Sequence, residues 1–327
     1  IYPIARSVSR AFNSEPGPTS ARIGRFIMLV GFHSTYTASA IFLTGMAANP
    51  LIAQFAHNIA HVNLTWGRWA MGSLVPGFIT LTLMPFVIFK LCPPEVRNTE
   101  PARTLAHQEL QQLGPVSRKE GILIGIMLLV MAGWITAPWH RIANAVVAMA
   151  GVSAILLLDV ISWEDLLAEK RAWDAIIWFA PVLMMADALQ EKGVIGVLSG
   201  AVFRHMNGWS WPLTLLVLAV AYLYLHYGFA SMTAHITALY PGFVATALAA
   251  GVPPLLAALP LAYFSNLNAG MTHYGTGSAP VYFGDGYISQ GTWWKVGFLI
   301  SVMNIFIWLG IGMAWWRPVR ALLSPIV

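Results

Sequence analysis

Charged residues are scarce in this sequence of 327 residues. Asp, Glu, Lys and Arg together make up 9% of the chain, whereas a soluble globular domain carries about 25%. Charge this sparse cannot cover a water-facing surface, and 57% of the residues are hydrophobic. The composition therefore excludes a soluble protein and predicts an all-α polytopic membrane protein.

Cysteine is nearly absent as well. The single Cys92 excludes an internal disulfide framework. The net charge of +5 is read as membrane topology rather than nucleic-acid binding, and the 14 Trp and 10 Tyr are typical of interfacial anchoring. The opening IYPIARSVSRAF lacks a Met and a signal-peptide pattern, so we expect a fragment whose earlier residues are missing.

Hydropathy predicts a series of apolar helices. The apolar runs fall at about 23–48, 70–91, 121–138, 142–160, 173–191, 210–228, 234–264 and 296–316. The longest polar connection, residues 92–120, combines charges with helix formers. We expect it to form an amphipathic helix on the membrane surface.

Basic residues predict the orientation of the chain. If the first five runs each cross the membrane once, eleven basic residues lie on one side and four on the other. The larger group is Arg6, Arg10, Arg22, Arg25, Lys90, Arg97, Arg103, Arg118, Lys119, Lys170 and Arg171; the smaller is Arg68, Arg141, Lys192 and Arg204. The connection 92–120 is therefore expected in the cytoplasm.

Two apolar runs are interrupted by Gly and small polar residues, at 31–50 and at 263–282. Superposed with an offset of 232, they share Phe32/Phe264, Thr44/Thr276, Gly45/Gly277 and Ala47/Ala279. Interrupted segments at corresponding positions of two halves indicate the midplane site of a secondary transporter. Backbone that leaves the helix inside a bilayer must line protein or a water-filled cavity.

The stretch HYGFASMTAHITALY, residues 226–240, is a third interruption. A re-entrant hairpin with its turn near Ser231–Thr233 would open a helix whose N-terminus binds carboxylate or phosphate. His235 would add a donor, or a positive charge beside an anion. The alternative is that Ser231 and Thr233 bond back to helix carbonyls. For His226 we favour a packing or interface role.

Hydroxyls and glycines are dense in THYGTGSAP, residues 272–280. The glycines permit close backbone approach, and Thr272, Thr276 and Ser278 supply hydroxyls. Asp285, just beyond, is expected to be a loop or interface residue. Asp187 is an acid near the end of an apolar run, where it and Glu191 indicate a helix end rather than a buried functional carboxylate.

The pair HNIAH places His57 and His61 on one helix face, as in some metal sites. The other histidines stand in unrelated contexts, so the remaining ligands are not evident. A membrane metalloenzyme that uses His57 and His61 stays a distant alternative, which metal analysis would test.

Several stretches resemble the divalent anion:sodium symporter family, in particular its citrate/tartrate and 2-oxoglutarate/malate antiporter branch. They are YPIARSVSRAF, LAHQELQQLGPVSRKE, WDAIIWFAPVLMMADALQEKG, HYGFASMTAHITALYP and MTHYGTGSAPVYFGDGYI. The resemblance implies two inverted repeats, each with a re-entrant hairpin that carries Ser-Asn-Thr and is followed by a broken helix. It also implies a homodimer that works by an elevator mechanism.

The resemblance assigns site residues one by one. Its second hairpin motif corresponds to Ser231, Met232 and Thr233, and its broken helices to Thr44–Pro50 and Thr276–Pro280. The implied substrate-binding set is Ser231, Met232, Thr233, His235, Thr44, Gly45, Thr276, Gly277 and Ser278. The implied domains are residues 1–91, the end of the first repeat; 92–120, a cytoplasmic connector; and 121–327, the second repeat, with a hairpin near 210–250 and a broken helix near 255–290.

Three departures from the family pattern bear on sodium. Met232 replaces the motif Asn, and the family's Thr-Pro-Pro-Asn has become Ala47-Ala48-Asn49-Pro50 on one side and Ser278-Ala279-Pro280 on the other. The first hairpin motif is absent from the sequence. We therefore expect an inner-membrane exchanger of di- or tricarboxylates in which His235 replaces a coupling cation. The alternative is a sodium-coupled symporter of the same fold. No other cofactor and no enzymatic activity are expected.

Overall fold

The structure, a computed structural model, describes residues 1–96, 114–168 and 208–323, together with residues 111, 184, 188 and 192. Every regular element in these residues is helical. Contacts divide the chain into two compact units, one formed by residues 1–105 with 185–327 and the other by residues 106–184. The predicted domain boundaries stay a prediction.

The first unit begins with four helices. They are α1 (Tyr2–Ala11), α2 (Gly24–Ile41), α3 (Asn49–Ala60) and α4 (Trp66–Leu91). Between α2 and α3 lies a short 3₁₀ turn, Leu43–Gly45, within the non-helical residues 42–48. We call residues 42–48 the first break.

The second unit contains four further helices in its described residues. They are α5 (Arg118–Ile135), α6 (Ala137–His140), α7 (Asn144–Leu157) and α8 (Trp163–Ala168). Ser117 and Glu120 form a capping box that begins α5. Helices α5 and α7 approach closely at glycines, since Gly133 lies against Val147 and Gly151 against Val130.

The first unit continues with six helices after residue 208. They are α9 (Trp211–Leu225), α10 (Met232–Ala249), α11 (Pro254–Leu267), α12 (Ala279–Gly284), α13 (Gln290–Ile305) and α14 (Met313–Leu323). A π-helical segment, Phe306–Gly312, joins α13 to α14 without interruption. Four connections separate the others, at residues 226–231, 250–253, 268–278 and 285–289. Residues 226–231, the tip, join α9 to α10, and residues 268–278, the second break, join α11 to α12.

Helix α11 lies at the centre of the first unit, because every residue from Ala257 to Leu267 is buried. Three tyrosine hydroxyls tie its neighbours to it. Tyr263 of α11 donates to the Trp69 carbonyl of α4 (2.9 Å), Tyr240 of α10 donates to the Ala258 carbonyl (3.1 Å), and Tyr222 of α9 shares a 2.7 Å hydrogen bond with Ser265. These bonds keep polar atoms paired inside an apolar core.

Three helices in the described ranges are long and apolar enough to cross a membrane: Trp66–Leu91, Trp211–Gly228 and Gln290–Pro318. The apolar run 234–264 contains two helices rather than one. Gly251 adopts a φ of +77° between them and Pro253 precedes α11, so the chain turns there, near the predicted hairpin boundary at 250. The run 173–191, with Asp187 and Glu191, and most of the connection 92–120 lie outside the described residues.

Candidate functional site

The tip begins helix α10 where the sequence predicted a helix start. Ser231 is the N-cap, and its hydroxyl accepts a hydrogen bond from the Ala234 N–H at 3.3 Å. The His235 N–H donates to the Ser231 carbonyl. The first N–H groups of a helix have no partner within it, so those of Met232 and Thr233 remain available to a ligand.

The side chains of the first turn of α10 differ in their surroundings. Met232 is buried, with 8% of its surface exposed, and carries no oxygen atom. Thr233 is half-buried, and its hydroxyl makes no hydrogen bond to any described residue. One turn later the Thr237 hydroxyl bonds back to the Ala234 carbonyl at 3.2 Å. The back-bonding alternative therefore describes Thr237 and not Thr233.

His235 is fully buried among aromatic rings. Its ring centroid lies 4.4 Å from that of Tyr222, 5.0 Å from that of His226 and 5.2 Å from that of Phe229. Neither ring nitrogen has a hydrogen-bond partner among the described residues. A buried nitrogen without a partner costs free energy, so this residue is poised to bond to a group that enters the site.

His226 joins the tip to the second break. Its Nε2 donates a hydrogen bond to the Gly275 carbonyl at 2.9 Å, and its side chain is fully buried. A Cβ on residue 275 would lie 2.7 Å from this nitrogen and 2.7 Å from the Thr272 hydroxyl, so only glycine permits the approach. Tyr274 adds a second link, since its hydroxyl donates to the Tyr227 carbonyl at 2.9 Å. These contacts agree with the packing role favoured for His226.

The second break presents hydroxyls without partners. Thr272 is fully buried, Thr276 and Ser278 are half-buried, and none of the three hydroxyls bonds to a described residue. The N–H groups that begin α12 are already used, because Ala279 donates to the Thr276 carbonyl while Val281 and Tyr282 share that of Ser278. Gly277 is exposed, with open space where a Cβ would point. The start of α12 therefore offers hydroxyls rather than unpaired backbone N–H groups.

The polar side chains at the first break are hydrogen-bonded within the protein, and they include that of Asn49, the first residue of α3. The Asn49 amide donates to the carbonyls of Ser39 (3.0 Å) and Phe42 (3.1 Å), and its oxygen accepts from Asn266 of α11 at 2.8 Å. Thr44 accepts from the Trp66 indole at 3.3 Å. Gly45 packs on the backbone of Ser39, where a Cβ would lie 2.7 Å from the Ser39 Cα.

Three buried amides near the breaks were missed by the sequence reasoning. The oxygen of Asn266 and both amide atoms of Asn268 and Asn304 lack partners among the described residues, and all three side chains are fully buried. An asparagine inside an apolar run was the available signal, because a buried amide is costly unless it is paired or binds a ligand.

The remaining candidates lie elsewhere. His57 and His61 are both exposed, and no three His, Cys, Asp or Glu side chains in the described part of the chain come together to hold a metal. Asp285 lies 3.6 Å from Arg6 Nε, an ion pair between α1 and the end of α12, which agrees with the predicted interface role. Asp187 lies outside the described residues.

A family model for the sodium:sulfate symporter transmembrane region matches residues 1–322. The chain belongs to this family. The resemblance to divalent anion:sodium symporters is thereby confirmed, and the metalloenzyme alternative has no support within a family of membrane transporters.

Two of three similar relatives carry transport names, and the third is named as an inner membrane protein. It is 46% identical, over 97% of its length, to YflS of Bacillus subtilis (strain 168), named as a candidate malate transporter. It is 40% identical over 97% of its length to dicarboxylate transporter 1, chloroplastic, of Arabidopsis thaliana, and 32% identical over 97% to the inner membrane protein YbhI of Escherichia coli (strain K12). The chain spans 66%, 58% and 66% of the lengths of these three proteins.

Proposed function

We propose that this chain contributes the anion-binding site of a secondary transporter that exchanges di- or tricarboxylates across the inner membrane. The observation that carries the proposal is the start of α10, where the N–H groups of Met232 and Thr233 and the Thr233 hydroxyl stand without partners. The names of the relatives support the substrate class, since two of them are called malate or dicarboxylate transporters.

A dicarboxylate needs donors at both of its ends. One carboxylate would bind at the N-terminus of α10, where backbone N–H groups and the helix dipole favour negative charge. The other would bind the hydroxyls of the second break, Thr276 and Ser278, which the His226–Gly275 hydrogen bond holds against the tip. Gly277 leaves room for the ligand. Thr44 and Gly45 stay predicted site residues, and the contacts observed for them are structural.

The side chains at the positions where the family would bind sodium favour exchange over sodium symport. Met232 has no oxygen to offer a cation, and all polar atoms of Asn49 are bonded within the protein. His235, with both ring nitrogens unpaired, would donate to the bound anion, whose charge would favour the imidazolium that burial otherwise disfavours and so replace a sodium ion. Exchange further requires that the empty carrier rarely reorients and that bound anion permits the movement.

The sodium-coupled alternative has one observation in its favour. The amide oxygens of Asn266, Asn268 and Asn304 are buried and unpaired, and oxygen atoms of this kind are ligands of hard cations. Under this alternative, one or more of these oxygens would bind sodium when substrate binds.

The two breaks support an inverted-repeat architecture. In each, a long helix ends in a 3₁₀ turn, a non-helical stretch follows, and the next helix carries proline as its second residue, Pro50 or Pro280. The elevator mechanism and the homodimer are also part of the proposal. Membership of the family is what supports them.

Counter-flow in proteoliposomes separates exchange from symport. The complete protein that carries these residues is reconstituted, and uptake of labelled malate, succinate, citrate, tartrate or 2-oxoglutarate is measured with and without internal dicarboxylate, and with and without sodium. We expect uptake that depends on internal dicarboxylate and not on sodium. Sodium-driven uptake into vesicles without internal anion would contradict exchange, and no uptake of any of these acids would contradict the substrate class.

His235→Gln tests the role of the buried imidazole. Glutamine keeps a hydrogen-bond donor but cannot carry a positive charge. We expect exchange to be strongly reduced although the protein inserts in the membrane normally, with His57→Gln on exposed α3 as the matched control. Wild-type exchange in the His235→Gln protein would remove the residue from the mechanism.

A further inference from the structure

An apolar cavity lies at the base of the α9–α10 hairpin, away from the tip. Its volume is about 560 Å³. Trp211, the first residue of α9, Pro253 and Pro254 at the start of α11, and the last residues of α3 form part of its wall. Met313 and Arg317 of α14 complete it. None of the residues that line it is acidic.

A second apolar cavity, of about 400 Å³, adjoins the first. It runs between Leu215 and Leu216 of α9 and the π-helical segment at Leu309, and it shares Met313 and Arg317 with the first cavity. Leu216 is 44% exposed, as expected for a helix face that contacts lipid. The two apolar cavities therefore share one cationic side chain, that of Arg317.

Arg317 has no carboxylate partner among the described residues. The ion pairs of the described residues involve Arg6, Arg10 and Lys119. Arg317 takes part in none of them, and it is exposed. Its guanidinium group can donate two parallel hydrogen bonds to a phosphate, and guanidinium is the preferred side chain for that recognition. The exposed guanidinium is therefore free to bind an anionic ligand.

The cavities lie at one end of a membrane-crossing helix. The indoles of Trp315 and Trp316 donate to the carbonyls of Met71 (2.8 Å) and Gly72 (2.7 Å), close to the N-terminal end of the candidate span Trp66–Leu91. Tryptophan and arginine concentrate at this depth, where the lipid headgroups lie. Arg317 is therefore at headgroup level, with apolar cavities beside it.

We propose that these two cavities bind one anionic diacyl phospholipid, with its phosphate at Arg317 and one acyl chain in each cavity. A free phosphate would leave both apolar walls uncovered, and a zwitterionic lipid would bring a positive ammonium group close to the guanidinium together with its phosphate. Basic pockets between membrane helices bind anionic headgroups by the same chemistry. The site is separate from the proposed anion site at the tip, so its test does not depend on transport.

Photo-crosslinking tests the proposal directly. The protein is placed in phosphatidylcholine vesicles that contain phosphatidylglycerol with a photoactivatable acyl chain, and the labelled residues are mapped by mass spectrometry. We expect labelling of α9 and α14 around Leu216 and Met313, with unlabelled phosphatidylglycerol a better competitor than phosphatidylcholine. Arg317→Gln should lower the labelling about fivefold, the contribution of one cation to binding an anionic lipid.

Two further variants distinguish the outcomes. Lys295→Gln removes the same charge from an exposed position on α13 and should leave the labelling unchanged. Ala314→Phe fills the second cavity, which Ala314 lines, and should remove labelling there while Arg317 is retained. Equal labelling by a phosphatidylcholine probe, unchanged labelling in Arg317→Gln, or full competition by glycerol phosphate would each overturn the proposal.

Discussion

The two breaks differ in how their polar groups are satisfied. At the first break, Thr44 accepts from Trp66, and Asn49, the first residue of α3, bonds to two carbonyls and to Asn266. In the second break, buried Asn268 and Thr272 have no partner among the described residues. Two segments that look alike in sequence therefore differ in their contacts. The polar groups at the first break hold helices together, whereas the second break contains unpaired donors and acceptors, which we propose bind a ligand.

Length adds to this difference. The first break covers residues 42–48 and the second covers residues 268–278, so the second is four residues longer (11 against 7). With the offset of 232, the added residues lie at the start of the second break and include Asn268 and Thr272, whereas Gly275, which bonds to His226 of the tip, corresponds to Leu43. The contact between the second break and the tip has no observed counterpart at the first break in the described residues.

The largest expected effect on stability follows from removal of the Asn49 side chain, which makes three hydrogen bonds. Asn49→Ala removes three hydrogen bonds and leaves the Ser39 carbonyl without its donor, while the Phe42 carbonyl and the Asn266 amide each keep a second partner; each lost hydrogen bond contributes about 1 kcal/mol. We expect the free energy of unfolding in detergent to fall by about 3 kcal/mol or more. Gln54→Ala on the exposed face of α3 should change it by no more than about 0.5 kcal/mol. Equal effects in the two variants would contradict a stabilising role for the Asn49 hydrogen bonds.

A smaller loss is expected where the tip meets the second break. His226→Phe keeps a ring of similar size but removes the hydrogen bond to the Gly275 carbonyl. The unpaired carbonyl should lower the free energy of unfolding by about 1–2 kcal/mol, measured by the same denaturation. Because the tip and second break would also separate, we expect weaker dicarboxylate binding. Normal binding would show that the contact is structural only.

The Ser231 cap should contribute about 1 kcal/mol. Ser231→Ala removes the acceptor for the Ala234 N–H, and loss of an N-cap typically costs about that much. Ser231→Asn, which restores a capping side chain, should recover stability in the same unfolding measurement. Failure of asparagine to recover it would argue against a capping role.

The smallest stability effect is expected at Thr272, in contrast to Asn49. Its hydroxyl is buried and unpaired, so Thr272→Val removes a polar group that has no partner. Replacement by an apolar group of the same shape is close to neutral or stabilising, so the melting temperature should not fall. A clear fall would mean that the hydroxyl has a partner in the folded protein, as the polar groups of the first break do.

Local features were the ones that sequence could predict. The apolar runs located most of the long helices but not α1 or α3, and they joined α10 to α11 in one run. Ser231 was recognisable as a cap because capping depends on a few adjacent residues. The Asn49–Asn266 bond joins residues 217 positions apart, and His226 meets Gly275 across 49 positions. No local pattern specifies such pairs. The superposition with an offset of 232 contains no gap, so it could not show that the two breaks differ in length.

The central claim is that the first turn of α10 donates to the substrate. Binding of labelled malate to purified Thr233→Val and Thr237→Val variants tests it most directly. Both substitutions remove one hydroxyl from the same helix, but that of Thr237 is already bonded to the Ala234 carbonyl. The account predicts that Thr233→Val weakens binding about tenfold, the value of one hydrogen bond, while Thr237→Val binds as the unmodified protein does. Equal affinities in the two variants, or a greater loss in Thr237→Val, would contradict it.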